Sequence, residues 1–221
     1  MRRITDTELV RNYCEKHIGD IFDINYASEN IFVDIPHVNL RKIISRLIDA
    51  GLLRTISKGV YAIGESPLSD EERVIKHYLT NEFSLPAGIE AGSYLLYKKG
   101  LLSIEPVEKV IKSNMTKGNK KIGNVQIIES HNVYGLAGHE LIIAMELLSA
   151  DTLKDQSLVE KWEKEIQTLL KGYTDMQFKA VVKDLYQGRT YYLLEQFLNT
   201  MQISHRVKEI YEIQVRLHSK E

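Results

Sequence analysis

Between residues 36 and 64 the apolar positions follow two rhythms. From Leu40 they recur at Ile43, Ile44, Leu47 and Ile48, three and four residues apart, which lines one face of an α-helix. Pro36 lacks an amide donor and fixes its φ angle, so this helix is expected to begin within 36–39. Gly51 suits the left-handed position that closes a helix. Beyond it, 52–56 and 60–63 read as two short strands joined through Ser57-Lys58-Gly59. Upstream, Thr5 and Glu8 have the spacing of a capping box, and Leu9, Val10, Tyr13 and Cys14 supply an apolar face. A first helix is therefore predicted over 6–17, ended by Gly19 and Asp20, and a short second helix over 26–31.

Residues 65–69, Glu-Ser-Pro-Leu-Ser, have the composition of a linker, which divides the chain into domains 1–64 and 65–221. In the larger part a helix is predicted over 70–81, with Val74, Ile75, Tyr78 and Leu79 inward. A short helix is predicted within 87–102, ended by Gly100. Strands over 107–115 and 124–130 bracket the lysine-rich turn "TKGNKKIG", giving a small sheet at about 107–130. Helices follow over 139–149, 155–171, 175–187 and 190–201. The segment 202–221 fits a period-two strand about as well as a loose helix. The pairs Phe178/Tyr186 and Tyr191-Tyr192, like Trp162, Ile166 and Leu169, lie at helical spacing and read as core rather than as a base-stacking platform. The fold class is α+β, mainly helical. Three helices and a hairpin at the N-terminus outline a winged helix-turn-helix, and a larger C-terminal domain carries a small β-sheet and several helices.

Composition narrows the function without naming it. The 221 residues are 43% hydrophobic and 27% charged, enough for a real core. No apolar run approaches a membrane-spanning length, and "MRRITDTELV" has no apolar stretch behind its arginines, so no secretory signal is read there. The single cysteine, Cys14, sits among apolar helix positions and reads as a buried, inert thiol in a reducing cytoplasm.

The formal net charge of -1 says nothing of partners, but the distribution does. Residues 41–58 hold Arg41, Lys42, Arg46, Arg54 and Lys58 against one acid, Asp49, a local balance of +4. Over 1–64, nine basic residues meet eight acidic ones, so the positive patch is local. Helical geometry turns Asn39, Lys42, Ser45, Arg46 and Asp49 outward, with Val38 near the start. Asn can pair with adenine, Arg with guanine and Ser with a phosphate oxygen, while a Val methyl can meet a thymine methyl. Clustered cations also gain from counterion release. Winged modules mediate protein contacts as well, and both readings stand.

The stretch "DIPHVNLRKIISRLIDAGLLRTISKGVYAIGE" resembles the N-terminal winged-helix domain of AbiEi-like antitoxins, the regulator halves of bacterial abortive-infection (type IV) toxin–antitoxin operons. The marks are the helix "LxxIISRLxxAGLL" and the wing "RTISKGVYAI", with "GIEAGSYLLYKKGLL", "KIGNVQII" and "GHELIIAMELL" downstream. The resemblance covers residues 1 to about 150; the ending "YEIQVRLHSKE" matches no pattern of the family. It implies a cytoplasmic, two-domain repressor that binds inverted repeats in its own promoter. Its C-terminal domain would counteract a nucleotidyltransferase-like toxin in phage defence, with or without direct contact. By position, His37, Asn39, Arg41, Lys42, Ser45 and Arg46 would face DNA from the third helix, and Arg54, Ser57 and Lys58 from the wing.

Enzyme readings fail at each motif. Gly92-Ser93 resembles the start of a nucleotidyltransferase signature, but no acid follows until Glu105, so the metal-binding aspartates are missing. His139-Glu140 lacks the second histidine of a zinc-protease helix. The seven histidines show no ligand spacing, and the glycines at 88 and 92, or 135 and 138, fall short of a dinucleotide fingerprint. No catalytic residue, metal or cofactor is expected. The lysines of the predicted turn (Lys117, Lys120 and Lys121, with Lys112 nearby) read either as a solvated hairpin end or as a second basic patch for nucleic acid.

Overall fold

The Thr5 hydroxyl accepts the Glu8 amide at 3.2 Å while the Glu8 carboxylate accepts the Thr5 amide at 2.8 Å, and this reciprocal cap opens α1 (Asp6–Lys16). Such local instructions build an α+β chain of ten helices and seven strands among the described residues. The computed structural model describes residues 4–135, 138–150 and 156–219. The first three residues of the chain, the start of the helix expected from 155, and the last two positions of the segment 202–221 lie outside them. The chain divides into two compact units, Met1–His77 with Lys121–Val125, and Tyr78–Lys120 with Gln126–Glu221.

In the first unit α1 is followed by β1 (Ile21–Asp23), α2 (Ile24–Asn30), α3 (His37–Asp49), β2 (Leu53–Ser57) and β3 (Val60–Ile63). The strands form an antiparallel sheet in the order β1-β3-β2. Strand β1 has no counterpart in the sequence reading: its three residues are all buried, so it shows no alternation. Its last residue, Asp23, accepts the amides of Asn25 and Tyr26, starting α2 at Ile24 rather than Tyr26. The core gathers Val10, Cys14, Phe22, Phe32, Leu40, Ile44, Leu47, Leu53 and Ile63, each 4% exposed or less. Helix α4 (Asp70–Leu79) belongs to this unit as far as His77 although it lies beyond the 65–69 linker. The reason is Arg73, 3% exposed, which donates to the carbonyls of Asp20 at 2.7 Å, Ile63 at 2.9 Å and Gly64 at 3.4 Å.

The second unit begins with β4 (Gly88–Ala91), and α5 (Gly92–Lys98) follows directly. Residues 87–102 are thus strand then helix, where helix alone is expected. Gly88 explains the strand, because a Cβ there would stand 2.4 Å from the Tyr78 carbonyl and 2.6 Å from that of Lys112. Strand β4 pairs antiparallel with β5 (Lys109–Ser113), and with β6 (Lys120–Ile122) and β7 (Val125–Glu129) they form a four-stranded sheet ordered β4-β5-β7-β6, residues 121–125 counting with the first unit. The sheet therefore reaches back to residue 88, and three of the eight residues of the expected lysine turn are strand β6.

Helices α6 (His139–Ser149), α7 (Gln156–Leu170), α8 (Asp175–Val181), α9 (Gly188–Thr200) and α10 (Val207–His218) complete the chain. Helix α6 is buried over seven of its positions, from Leu141 to Leu148, and packs amid Leu95, Ile166, Phe178, Tyr191 and Leu194. Helix α8 stops before the expected 187 because the Asn132 side chain takes the next amides, of Lys183 at 2.7 Å and Asp184 at 2.9 Å. Residues 207–218, left open between strand and helix, are helical. Of the tyrosine pair, Tyr191 is buried and Tyr192 is 59% exposed, so only the first belongs to the core.

Candidate nucleic-acid interface

Helix α3 separates its side chains sharply. Leu40, Ile43, Ile44 and Leu47 are buried, and Val38, Asn39, Arg41, Lys42, Ser45, Arg46 and Asp49 are exposed. His37, at the first turn, is half-buried. Because i, i+3 and i+4 positions share a face, Asn39, Lys42 and Arg46 form one row. That row and the start of α1 border a shallow cavity of about 480 Å³, which Ile4, Thr5, Asp6, Thr7 and Ile43 also line. A cation row beside a concavity is suited to an acidic backbone, although Asp6 places one acid at its margin.

The hairpin after α3 is short and firmly held. Thr55 pairs with Tyr61 and Ser57 with Val60, leaving Ile56 as a one-residue bulge. Gly59 takes φ +80°, and its carbonyl accepts the Ile24 amide at 2.9 Å. Lys58 at the tip is exposed and Ser57 is half-buried.

Arg54 departs from the expected arrangement. Its guanidinium meets both oxygens of Asp70, at 2.6 and 2.9 Å, a two-pronged pair on the surface. The Arg54 hydrogen bonds hold the Asp70 carboxyl below its usual range, and Asp70 in turn raises Arg54. Arg73 also lies 3.9 Å from Asp70, and burial pulls its own ionisation below the ordinary arginine value. The other exposed cations over 41–58 are Arg41, Lys42, Arg46 and Lys58. Neither Asp70 nor Arg73 was visible as a site residue in the sequence; "SDEERV" signals a helix start and nothing more.

Comparison with protein-family models and with curated proteins finds no match.

Two lysines of the expected second patch have partners within the second unit. Lys112 lies 2.6 Å from the Glu146 carboxylate and 4.9 Å from the centre of the Tyr186 ring. The Lys120 ammonium donates to the Tyr78 hydroxyl at 3.2 Å and stands 5.2 Å over that ring. Only Lys117 and Lys121 are exposed. The pull on Lys112 comes from Glu146, a 3% exposed carboxylate that also accepts the Tyr186 hydroxyl at 2.7 Å. Glu146 gave no signal in the sequence because it sits within the mostly apolar run from Leu141 to Leu148.

Cys14 is fully buried, and burial pushes its thiol up to about 12, so it is not a thiolate at neutral pH. Among the described residues no group of three or more His, Cys, Asp or Glu side chains is placed to hold a metal, and no helix is long and apolar enough to cross a membrane.

Proposed function

We propose that the first unit is a winged helix-turn-helix that reads duplex DNA, with α3 in the major groove and the β2–β3 hairpin as wing. The observation that carries this reading is the split of α3. Four apolar residues anchor one face, while Asn39, Arg41, Lys42, Ser45 and Arg46 stand in solvent on the other. The order helix, strand, helix, helix, strand, strand, with a sheet ordered β1-β3-β2, supports the same reading. Asn39 and Arg46 have the side chains that read base edges, and Arg41, Lys42, Ser45 and Lys58 those that hold phosphates.

The sequence resemblance extends the proposal to a repressor acting on inverted repeats of its own promoter. It also makes the second unit an antitoxin module against a nucleotidyltransferase-like toxin. Binding to DNA from upstream of its own gene, measured by mobility shift across a salt series, tests the first part. Arg46→Ala is expected to cost about 1–3 kcal/mol on the specific site, and Lys58→Ala to weaken all sequences alike. Wild-type affinity after Arg46→Ala removes α3 from the interface. Rescue of cells from a toxin encoded beside it tests the second part.

A second reading, a winged helix that docks protein, is favoured by one observation: Arg54 is already matched by Asp70, which takes one cation out of the wing. It predicts no sequence preference in the mobility shift and a stable protein complex in its place.

A further inference from the structure

Ile210, Ile213, Gln214, Leu217 and His218 lie three and four positions apart on α10, so they form one stripe along that helix. The stripe opens outward: Ile210 is buried, whereas Ile213 and Leu217 are 48% and 60% exposed. With Lys179 in α8, Val182 and Lys183 just beyond it, and His131 after β7, the stripe lines a cavity of about 460 Å³.

The floor of this cavity is apolar and chemically closed. Val182 and Ile210 are buried. Gln214 uses both ends of its amide internally, its nitrogen donating to the Val182 carbonyl at 2.8 Å and its oxygen accepting the Tyr191 hydroxyl at 2.5 Å. A guest's inner part is then mainly apolar, since Val182, Ile210 and Ile213 line it and each end of the Gln214 amide already holds one internal bond.

The mouth has the opposite character. Lys179, Lys183, His131 and His218 surround it, and among the described residues no carboxylate lines it. The His131 ring stands 3.7 Å from Asp184 and 4.0 Å from Glu129, so the net positive charge of the rim rests on Lys179 and Lys183. Lys183 donates one hydrogen bond to the Lys179 carbonyl, which holds its ammonium at the mouth with further donors to offer.

An enclosure of several hundred Å³, apolar inside and edged by a few convergent polar groups, has the form of a small-molecule site. We propose that it binds an amphiphilic monoanion, a free carboxylate on a medium-length aliphatic chain. The chain lies along Ile210, Ile213 and Leu217, and the carboxylate sits between Lys179 and Lys183. This occupant covers the two exposed aliphatics and answers the charge of the rim together.

The full-length protein is titrated calorimetrically with decanoate, 1-decanol and acetate, and with phosphatidylglycerol vesicles in a parallel series. One saturable site for decanoate is expected, with acetate and decanol weaker by about tenfold or more, since each lacks one half of the recognition. The double variant Lys179→Gln/Lys183→Gln is expected to lose decanoate affinity by about tenfold while its circular dichroism is unchanged. Leu217→Glu, at an exposed position, is expected to repel the carboxylate to a similar extent. Equal binding of decanol and decanoate, unchanged affinity in the lysine variant, or absence of saturation at about 1 mM would overturn the assignment. Binding of vesicles alone, or self-association that Leu217→Glu abolishes without any decanoate site, would do so too.

Discussion

Arg54 and Asp70 are bound to each other by two hydrogen bonds, at 2.6 and 2.9 Å, with the arginine 61% exposed. A DNA phosphate approaching the wing would compete with Asp70 for the same guanidinium. If the first unit binds DNA as proposed, Asp70→Ala is therefore expected to tighten that binding and to steepen its salt dependence by about 0.9 in log–log slope, one further phosphate contact. A mobility shift across salt concentrations measures it. An unchanged slope places Arg54 outside the interface.

The same pair sets a pH dependence. Asp70 is held below its usual carboxylate value of 3.8 by its bonds to Arg54. A group depressed in the folded state stabilises above its unfolded value, and that stability is lost as pH falls through the folded one. The difference in urea midpoint between wild type and Asp70→Asn is thus expected to be present at neutral pH and to vanish in acid as pH falls below 3.8. Exposure limits it to about 1 kcal/mol or less.

Arg73 holds α4 to the ends of the first unit's strands through three carbonyls. Arg73→Leu leaves those buried acceptors without donors and is expected to cost about 3 kcal/mol, read as a lower urea midpoint. Lys76→Leu, one turn on and exposed, is the control; its ammonium lies 3.2 Å from the Asp20 carboxylate.

In the second unit, Glu146→Leu is expected to destabilise by about 3–5 kcal/mol, because Lys112 loses its partner beside the Tyr186 ring. Combining it with Lys112→Met is expected to recover part of that loss. Chemical denaturation of the two variants and the double variant makes the comparison, and strict additivity would show the pair to be uncoupled.

Cys14 is expected to resist aromatic disulfide reagents at pH 8 in the native protein and to react at once in denaturant. The thiol is buried and its ionisation is displaced to about 12. Rapid native labelling would contradict the packing of α1.

How much was legible depended on whether the deciding interaction was local. Helices α1 and α3 follow from a capping box and a strict apolar stripe, both written within a few turns of chain. Strand β1 did not show, since three successively buried residues carry no period of two. Residues 87–91 were expected within a short helix over 87–102, and Gly88 gave no local sign of a strand. Its true role is to let two carbonyls, from Tyr78 and Lys112, come close. Helix α10 stayed open between two periods until Gln214 found partners at Val182 and Tyr191, far away in sequence. The outward face of α3 was readable in full, but the fate of Arg54 was not. Asp70 lies sixteen residues downstream, and nothing in its neighbourhood points back.

Helix α6 is apolar on nearly every side, with Glu146 its one buried charge. Its shelter comes from segments on both sides of it in the chain: α5 before, and α7, α8 and α9 after. During synthesis it leaves the ribosome well ahead of Leu194 and Leu198, the α9 side chains packed in the same cluster. For that interval the nascent polypeptide displays a sticky rod to its surroundings. Prematurely terminated products ending before residue 188 are therefore natural clients for chaperones and proteases.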